Sequence, residues 1–423
     1  MLDYVNDIKQ KITARIPGEL VFFAAFIPYT AMFMYQTTMF EIFPARLFKL
    51  LKVGCMGLLL LKVFIYGGYS KREAIVTAVM LAAGLLSWRD STLTIPFMMF
   101  LLIAAAKGVD FERIVKAHFT VRLVILLITF AAALTGHIEN IYHDIWHPLM
   151  NWLGWERSYA LGIIHNTDCS AQVFYLMIEY LYLRRRSLRV YDLIGCLTVT
   201  LVIFRITACK VDLISSALVL FLFAAEYLRQ IITDRFKSSA IGCNDIKKLS
   251  ITELLYKLLG VFVVPLTAAV SIGLSYRFSW ENELLIKLNS MLTGRLSLGR
   301  NAFDQWNITP FGQYIRLVGF GGISIGTTVE GYNFIDCSYL NILMTMGAVI
   351  LGITLIVFVF ICCKYSCDHY LILIITALAV SWMADHHLMD IAYNVFMLLL
   401  FAKVHHPFAT GKQHCSSQIL DKT

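Results

Sequence analysis

Charged side chains are scarce in this 423-residue chain: Asp, Glu, Lys and Arg make up 15% of it, whereas a soluble domain carries about 25%. Hydrophobic residues make up 58%. This composition excludes an ordinary soluble enzyme. The chain also lacks low-complexity tracts and internal repeats of about 20–50 residues, which excludes a solenoid architecture.

A signal peptide and a disulfide framework are also missing. The first eighteen residues mix acidic with basic side chains and lack a short apolar run before a cleavage pattern, so the first helix is expected to stay in the mature protein. Few of the ten cysteines lie near the predicted outer face, so no structural disulfide framework is expected. The net charge of +8 follows the loops of the predicted topology, and no nucleic-acid partner is expected.

Long apolar runs are abundant and predict an all-α polytopic membrane protein, with residues 1–423 forming a single membrane domain. A hydrocarbon core of about 30 Å requires roughly 20 apolar residues in a helix, and fewer where flanking residues snorkel. About twelve segments qualify, namely 19–37, 47–66, 74–88, 91–106, 119–136, 158–183, 190–207, 211–228, 258–275, 338–360, 369–384 and 388–403.

The distribution of Lys and Arg predicts the orientation, because short cytoplasmic loops hold the excess of positive charge. Both termini and alternate loops, including 184–189 and the longer cytoplasmic loop 229–257, hold most of these residues. The short outer loops hold only Arg46, Arg89, Arg157 and Lys210. Both termini are therefore expected in the cytoplasm.

Residues 276–337 form the one conspicuous insertion, a predicted extracytoplasmic loop. Long ordered loops usually carry function. Leu284, Leu288 and Met291 recur at helical spacing there and predict an amphipathic helix on the membrane surface.

Polar residues at outer helix ends form the candidate site, because ionisable groups are costly in lipid. In the segment Arg157 to Asp168, a continuous helix would place Arg157 and Asp168 on one face and His165 one turn from Asp168. Asp168 would then orient His165 as a general base. A buried polar clasp between helices explains His165 and Asp168 equally well.

Four cations follow along the chain. Lys210 lies in a short turn between two helices, where snorkelling to the interface is an alternative explanation. Arg295 and Arg300 flank glycines in the long loop, so guanidinium groups and backbone N–H groups could bind one anion. Arg316 lies further along the same loop.

Two acidic segments complete the candidates. Asp336 and Tyr339 lie at the outer start of the tenth predicted helix, where Asp336 is equally explained as a helix cap. Asp385, His386 and His387 are a weaker candidate. Adjacent histidines do not share a helix face, so interfacial polar residues are favoured there over a metal site, and no metal or cofactor is expected.

The order and spacing of these segments resemble the bacterial polysaccharide polymerases of the Wzy type, which are related more distantly to O-antigen ligases. The resemblance covers mainly residues 155–350. It rests on the segment Arg157 to Asn166, the turn Thr207 to Lys210, Leu292-Thr-Gly-Arg295-Leu, Phe311-Gly312-Gln313, and Asp336-x-Ser-Tyr339 leading to Gly347. Two positions depart from the family pattern: no proline follows His165, and Lys210 stands where the family carries arginine.

The resemblance implies a membrane glycosyltransferase with a GT-C-like helical bundle. Its substrate would be an oligosaccharide repeat unit on undecaprenyl diphosphate, polymerised without metal into capsular polysaccharide or exopolysaccharide on the outer face of the bacterial cytoplasmic membrane. Membrane lipids, a flippase and a chain-length regulator are the further partners it implies. The cations Arg157, Lys210, Arg295, Arg300 and Arg316 would bind the departing diphosphate, and His165 or Asp336 would accept the proton of the acceptor hydroxyl.

His165 is the preferred base because the unperturbed pKa of histidine lies nearer neutral pH. Asp168 and Tyr339 would support the site. Two alternatives remain: a transporter or flippase, which should carry charges near helix midpoints, and an O-antigen-type ligase with a similar cationic site.

Overall fold

A computed structural model describes residues 17–41, 44–145, 155–239, 245–319 and 331–404. The side chains of 234–239 and 245–250 are not described. The predicted cytoplasmic termini therefore lie largely outside the described residues. So do 240–244 of the predicted cytoplasmic loop and 320–330 of the predicted outer loop.

The described residues of the first third of the chain form five helices, two of which begin with a side-chain cap. Ser70 and Glu73 form a capping box, in which each side chain binds the backbone N–H of the other residue. Asp110 caps the fifth helix by accepting from the N–H of Glu112. The helices are α1 (Gly18–Gln36), α2 (Ala45–Tyr66), α3 (Lys71–Ser91), α4 (Ile95–Ala105) and α5 (Phe111–Leu134).

A short hairpin precedes the next group of helices. Its strands β1 (Tyr142–Asp144) and β2 (Arg157–Tyr159) pair antiparallel, with His143 opposite Ser158. Four helices follow: α6 (Asn166–Arg184), α7 (Val190–Thr207), α8 (Lys210–Ser239) and α9 (Asp245–Arg277). Much of the predicted cytoplasmic loop 229–257 therefore belongs to the ends of α8 and α9.

The predicted outer loop 276–337 contains two short helices, α10 (Glu283–Met291) and α11 (Arg295–Gln305). The amphipathic segment predicted around Leu284 coincides with α10. The remaining elements are α12 (Ser338–Asn341), a π-helical turn (Ile342–Met346), α13 (Ala348–Lys364), α14 (His369–Ser381) and a 3₁₀ turn (Phe396–Leu400).

The apolar helices indicate an all-α, multi-pass membrane protein. Among the described residues, six helices are long and apolar enough to cross a membrane; they include α1, α3, α5 and α7, and the parts Lys210–Thr233 of α8 and Ile251–Arg277 of α9. α4, α13 and α14 are apolar but shorter. The predicted last span, 388–403, is mostly buried and lacks an α-helix. An apolar run predicts that a segment is buried, but not whether lipid or protein buries it. Here the rest of the protein buries the segment.

Two glycines allow a close backbone crossing near the outer loop. Gly347 has φ of 104°, and a Cβ there would lie 2.4 Å from the carbonyl oxygen of Pro310. A Cβ at Gly312 would lie 2.3 Å from the carbonyl oxygen of Thr345. The segment from Thr309 to Gln313 thus packs directly on the break before α13, since any larger residue would collide with backbone.

A fully buried charged cluster joins α5 and α6. Arg122 donates to the carboxylate of Glu179 at 2.5 Å and to Oε1 of Gln172 at 2.6 Å. His118 pairs with Glu179 at 2.8 Å and with the carbonyl oxygen of Ile391 at 2.7 Å. None of these four side chains is exposed to solvent. The cluster therefore holds the irregular segment around Ile391 against two helices, where its backbone would otherwise lack partners.

Candidate functional site

A polar cavity of about 700 Å³ lies where several helix ends meet. His165 precedes α6, Lys210 begins α8, Arg295 begins α11 and Asp336 precedes α12. All four line the cavity together with Asp168 in the first turn of α6. Its other lining residues include His143, Asp144, Ser158, Asn166, Cys209, Thr293, Tyr332, Phe334 and His386.

His165 is positioned by a strained turn. Leu161 and Gly162 both have positive φ, at 51° and 80°, and only glycine adopts that conformation readily. The following N–H of Ile164 donates to the carbonyl oxygen of Thr37 at the end of α1. His165 then caps α6 by accepting from the N–H of Thr167. The turn therefore fixes the imidazole at the cavity wall.

Asn166 joins three elements below the cavity. Its side-chain amide donates to the carbonyl oxygen of Thr207 at 2.9 Å and to Oγ of Ser158 at 3.3 Å. Thr207 ends α7, and Ala208 in the left-handed conformation turns the chain into α8. These hydrogen bonds and the turn at Ala208 place Lys210 beside the first turn of α6.

Arg295 is the most constrained cation of the site, with a side chain 10% exposed. Its Nε donates to the carbonyl oxygen of Ala384 at 2.5 Å, and Nη1 donates to the hydroxyl of Thr293. Two carboxylates lie nearby, Asp336 at 3.9 Å from Nε and Asp385 at 3.8 Å from Nη2. The guanidinium is thus oriented before any ligand binds.

The charges of the cavity are mixed, not simply cationic. Among the described lining residues, Lys210 and Arg295 face the carboxylates of Asp144, Asp168 and Asp336. Burial raises the pKa of Asp336 to about 6, although the guanidinium of Arg295 acts to lower it. Asp336 is therefore ionised above about pH 6.

The electrostatics reverse the preference for the base. Burial lowers the pKa of His165, just before α6, to about 4, and the neighbouring charges of His143 and Arg295 lower it further. The His143 ring lies 4.8 Å from the His165 ring. Since a general base is most effective with a pKa near the working pH, Asp336 is better suited to accept a proton than His165.

The other predicted site residues lie elsewhere. Arg157 is on β2 and not on a helix continuing to Asp168; its exposed side chain lies 3.5 Å from Asp144 and over the ring of Tyr142. Arg300 lines a separate pocket of about 620 Å³, where it pairs with Asp304 at 2.9 Å.

Arg316 is exposed in an irregular segment and does not line the cavity, while its carbonyl oxygen accepts from Asn333. Tyr339 is fully buried; its hydroxyl lies 2.8 Å from that of Thr267 and donates to the carbonyl oxygen of Ala379. Tyr339 therefore fixes α12 against α9 and α14.

Two histidines in the cavity wall are not among the site residues predicted from the sequence. His143 lies on a three-residue strand, too short for any periodicity to reveal. Neither of its ring nitrogens has a hydrogen-bond partner among the described residues. His386 was a weak candidate in a segment expected to be interfacial, and the structure places it in the cavity wall.

Within the part of the chain that the structure describes, one group of ligand-type side chains is close enough together to hold a metal ion. One ligand atom from each of Asp168, His386 and His387 lies within 4.8 Å of the others. His386 and His387 occupy a turn after α14 and not a helix, which removes the geometric objection to adjacent histidines.

No family model, curated protein or solved structure matches this chain.

Proposed function

We propose that this protein is a membrane glycosyltransferase that polymerises undecaprenyl-diphosphate-linked oligosaccharide repeat units into capsular polysaccharide or exopolysaccharide. The reaction would occur on the outer face of the bacterial cytoplasmic membrane. The proposal includes about twelve crossings in a GT-C-like bundle, with both termini in the cytoplasm. A flippase would supply the repeat units and a chain-length regulator would act on the product.

One observation carries the proposal. Five polar residues predicted from the sequence as site residues line one cavity: His165, Asp168, Lys210, Arg295 and Asp336. All but Asp168 lie in the segments that resemble the polymerase motifs. They lie up to 171 positions apart in the chain. The cavity of about 700 Å³ is large enough for a diphosphate with adjoining sugar.

The leaving group would be bound by Arg295 and Lys210. Arg295 offers a fixed fork of donors and Lys210 a mobile point charge. As the glycosidic bond breaks, negative charge grows on the lipid diphosphate, and preorganised cations stabilise that charge without reorganising. Under this proposal the chemistry of bond cleavage requires no metal.

Asp336 would accept the proton of the acceptor hydroxyl. The hydroxyl oxygen then forms a bond with the anomeric carbon of the donor glycan, and the bond from that carbon to the lipid diphosphate breaks. The diphosphate leaves with the bonding electrons, and the proton remains on Asp336 until it passes to solvent. His165 would bind a sugar hydroxyl, and Asp168 would support the site.

A transporter is the second candidate, and a specific observation favours it. Arg122, His118 and Glu179 form a buried charged cluster within α5 and α6, and intramembrane ionisable groups often mark ion or substrate pathways. The cluster also has a structural explanation, since it binds the backbone at Ile391.

Deletion and complementation separate the two functions. Cell-surface and lipid-linked glycans are resolved by size in the deletion strain, with and without the wild-type gene. Single lipid-linked repeat units on the outer face after deletion, with polymer restored by the gene, support the polymerase. Repeat units retained on the cytoplasmic side would establish transport and overturn the polymerase.

A further inference from the structure

We propose that Asp168, His386 and His387 bind one divalent transition-metal ion at the wall of the polar cavity. One carboxylate oxygen and two imidazole nitrogens, all within 4.8 Å of one another, form the ligand set. Three protein ligands with a remaining position open to water are a common arrangement for zinc and related ions. The site does not rest on the proposed polymerase activity.

The distances suit a small ion. An ion bound at about 2.0–2.2 Å in tetrahedral geometry holds its ligand atoms about 3.3–3.6 Å apart. Nε2 of His387 and Oδ1 of Asp168 are 3.7 Å apart, with side chains 3% and 14% exposed. The rings of His386 and His387 are 4.2 Å apart. Asp168 and His387 therefore lie close to the separation that an ion requires, and a ligand atom of His386 lies within 4.8 Å of both.

The histidine side chains are held by packing more than by hydrogen bonds. The His387 ring stacks on Tyr393 at 3.6 Å, and the His386 ring meets the Phe334 ring edge-to-face at 4.9 Å. Nδ1 of His387 is buried and lacks a hydrogen-bond partner among the described residues. Nε2, on the other edge of the ring, lies toward Asp168 and is the nitrogen placed to bind the ion.

Local charge also favours a cation. Asp168 lies on the wall, and Asp336 and Asp385 lie near Arg295. A dication beside Asp168 would offset this excess of carboxylate, which one guanidinium and one ammonium leave unbalanced.

The ion would tie the turn after α14 to the first turn of α6. Asp385, next in the chain to His386, contacts Arg295. Binding would therefore fix the position of the turn that orients the guanidinium. The metal takes no part in bond cleavage under this proposal, and its effect on Arg295 is one of positioning.

Metal content tests the proposal directly. Protein without a histidine tag is purified in detergent, equilibrated with Zn²⁺, freed of excess ion and analysed for zinc by mass spectrometry. About one ion per chain is expected for wild type and for the control His137→Ala, which alters an exposed histidine. His386→Ala, His387→Gln and Asp168→Asn should each lower the occupancy at least tenfold. Equal zinc in wild type and in all three variants would overturn the proposal.

Two further measurements keep the result interpretable if a variant folds poorly. Zn²⁺ should raise the Tm of wild type and His137→Ala, because an ion that binds only the folded state stabilises it, and should leave His387→Gln unchanged. Co²⁺ should give a visible absorption band with wild type. Absence of both effects in well-folded wild type would also overturn the site. Because no substrate is present, a failed polymerase assay leaves these results unaffected.

Discussion

Substituting lysine at two arginines of one helix tests the assignment of the cavity. Arg295 and Arg300 both lie on α11 and were both expected to bind diphosphate. Arg295 lines the polar cavity, whereas Arg300 lines the separate pocket and pairs with Asp304. Arg295→Lys and Arg300→Lys are therefore matched changes of the same residue type, helix and charge. We expect only the first to impair polymerisation strongly.

The magnitudes follow from the contacts. Arg295 binds Ala384 and Thr293 through different nitrogens while lying within 4 Å of two carboxylates. A lysine cannot make these contacts together, so it loses an oriented transition-state donor, worth about 2.7–4 kcal/mol or a 10²–10³-fold decrease in rate. Arg300 is 38% exposed, and a surface ion pair contributes about 0–1 kcal/mol, or at most about fivefold.

The assay measures conversion of lipid-linked repeat units to polymer by purified protein, with membrane insertion and thermal unfolding checked for both variants. Equal losses for Arg295→Lys and Arg300→Lys would refute the assignment of the cavity as the diphosphate site. So would an Arg295→Lys variant that folds normally and retains full activity.

Three further predictions concern the base, the backbone crossing and the topology. The rate of polymerisation should rise as pH increases through about 6, because Asp336 must be ionised to accept a proton and burial raises its pKa to that value. Asp336→Asn should remove most activity. An unchanged pH profile in this variant would exclude Asp336 as the base. Gly347→Ala should lower the free energy of unfolding by about 1–3 kcal/mol through backbone strain, measured by thermal or denaturant unfolding. The control Gly352→Ala lies within α13, where a Cβ has open space, and should be neutral or slightly stabilising. Exposed Cys363 and Cys367 at the end of α13 should react with a membrane-impermeant maleimide in inside-out vesicles but not in intact cells, and labelling in intact cells would reverse the proposed orientation.

Sequence reasoning located helix-end residues well because polar side chains stand out between apolar runs. Lys210, Arg295 and Asp336 were selected this way, and the structure brings them into one cavity. Their proximity follows from antiparallel packing of successive helices, which places alternate ends together. This proximity depends on the topology of the helices and not on side-chain geometry.

The errors came from assuming helices where the chain turns. Arg157 was placed on a helix face with Asp168, but positive φ at Leu161 and Gly162 interrupts the segment, and leucine gives no sign of that conformation. His386 lies in a turn, as the sequence predicts, but helix geometry is the wrong test of whether it can share a ligand with His387.

Arg300 was expected in a loop but lies on a helix. It follows Arg295 by five residues, which on a helix places the two side chains about 140° apart. They therefore face different pockets once the segment is helical. Glycine-flanked arginines had suggested a loop, in which both could bind one anion.

The cluster of Arg122 and Glu179 has a consequence for synthesis in the membrane. These residues are 57 positions apart, so at about 5–20 residues per second Arg122 is synthesised roughly 3–11 s before its partner on α6. During that interval an unpaired arginine within an apolar helix costs about 2.5–3.5 kcal/mol on insertion scales. α5 is therefore expected to remain beside the insertion machinery until α6 arrives, so that the two helices enter the lipid as a pair.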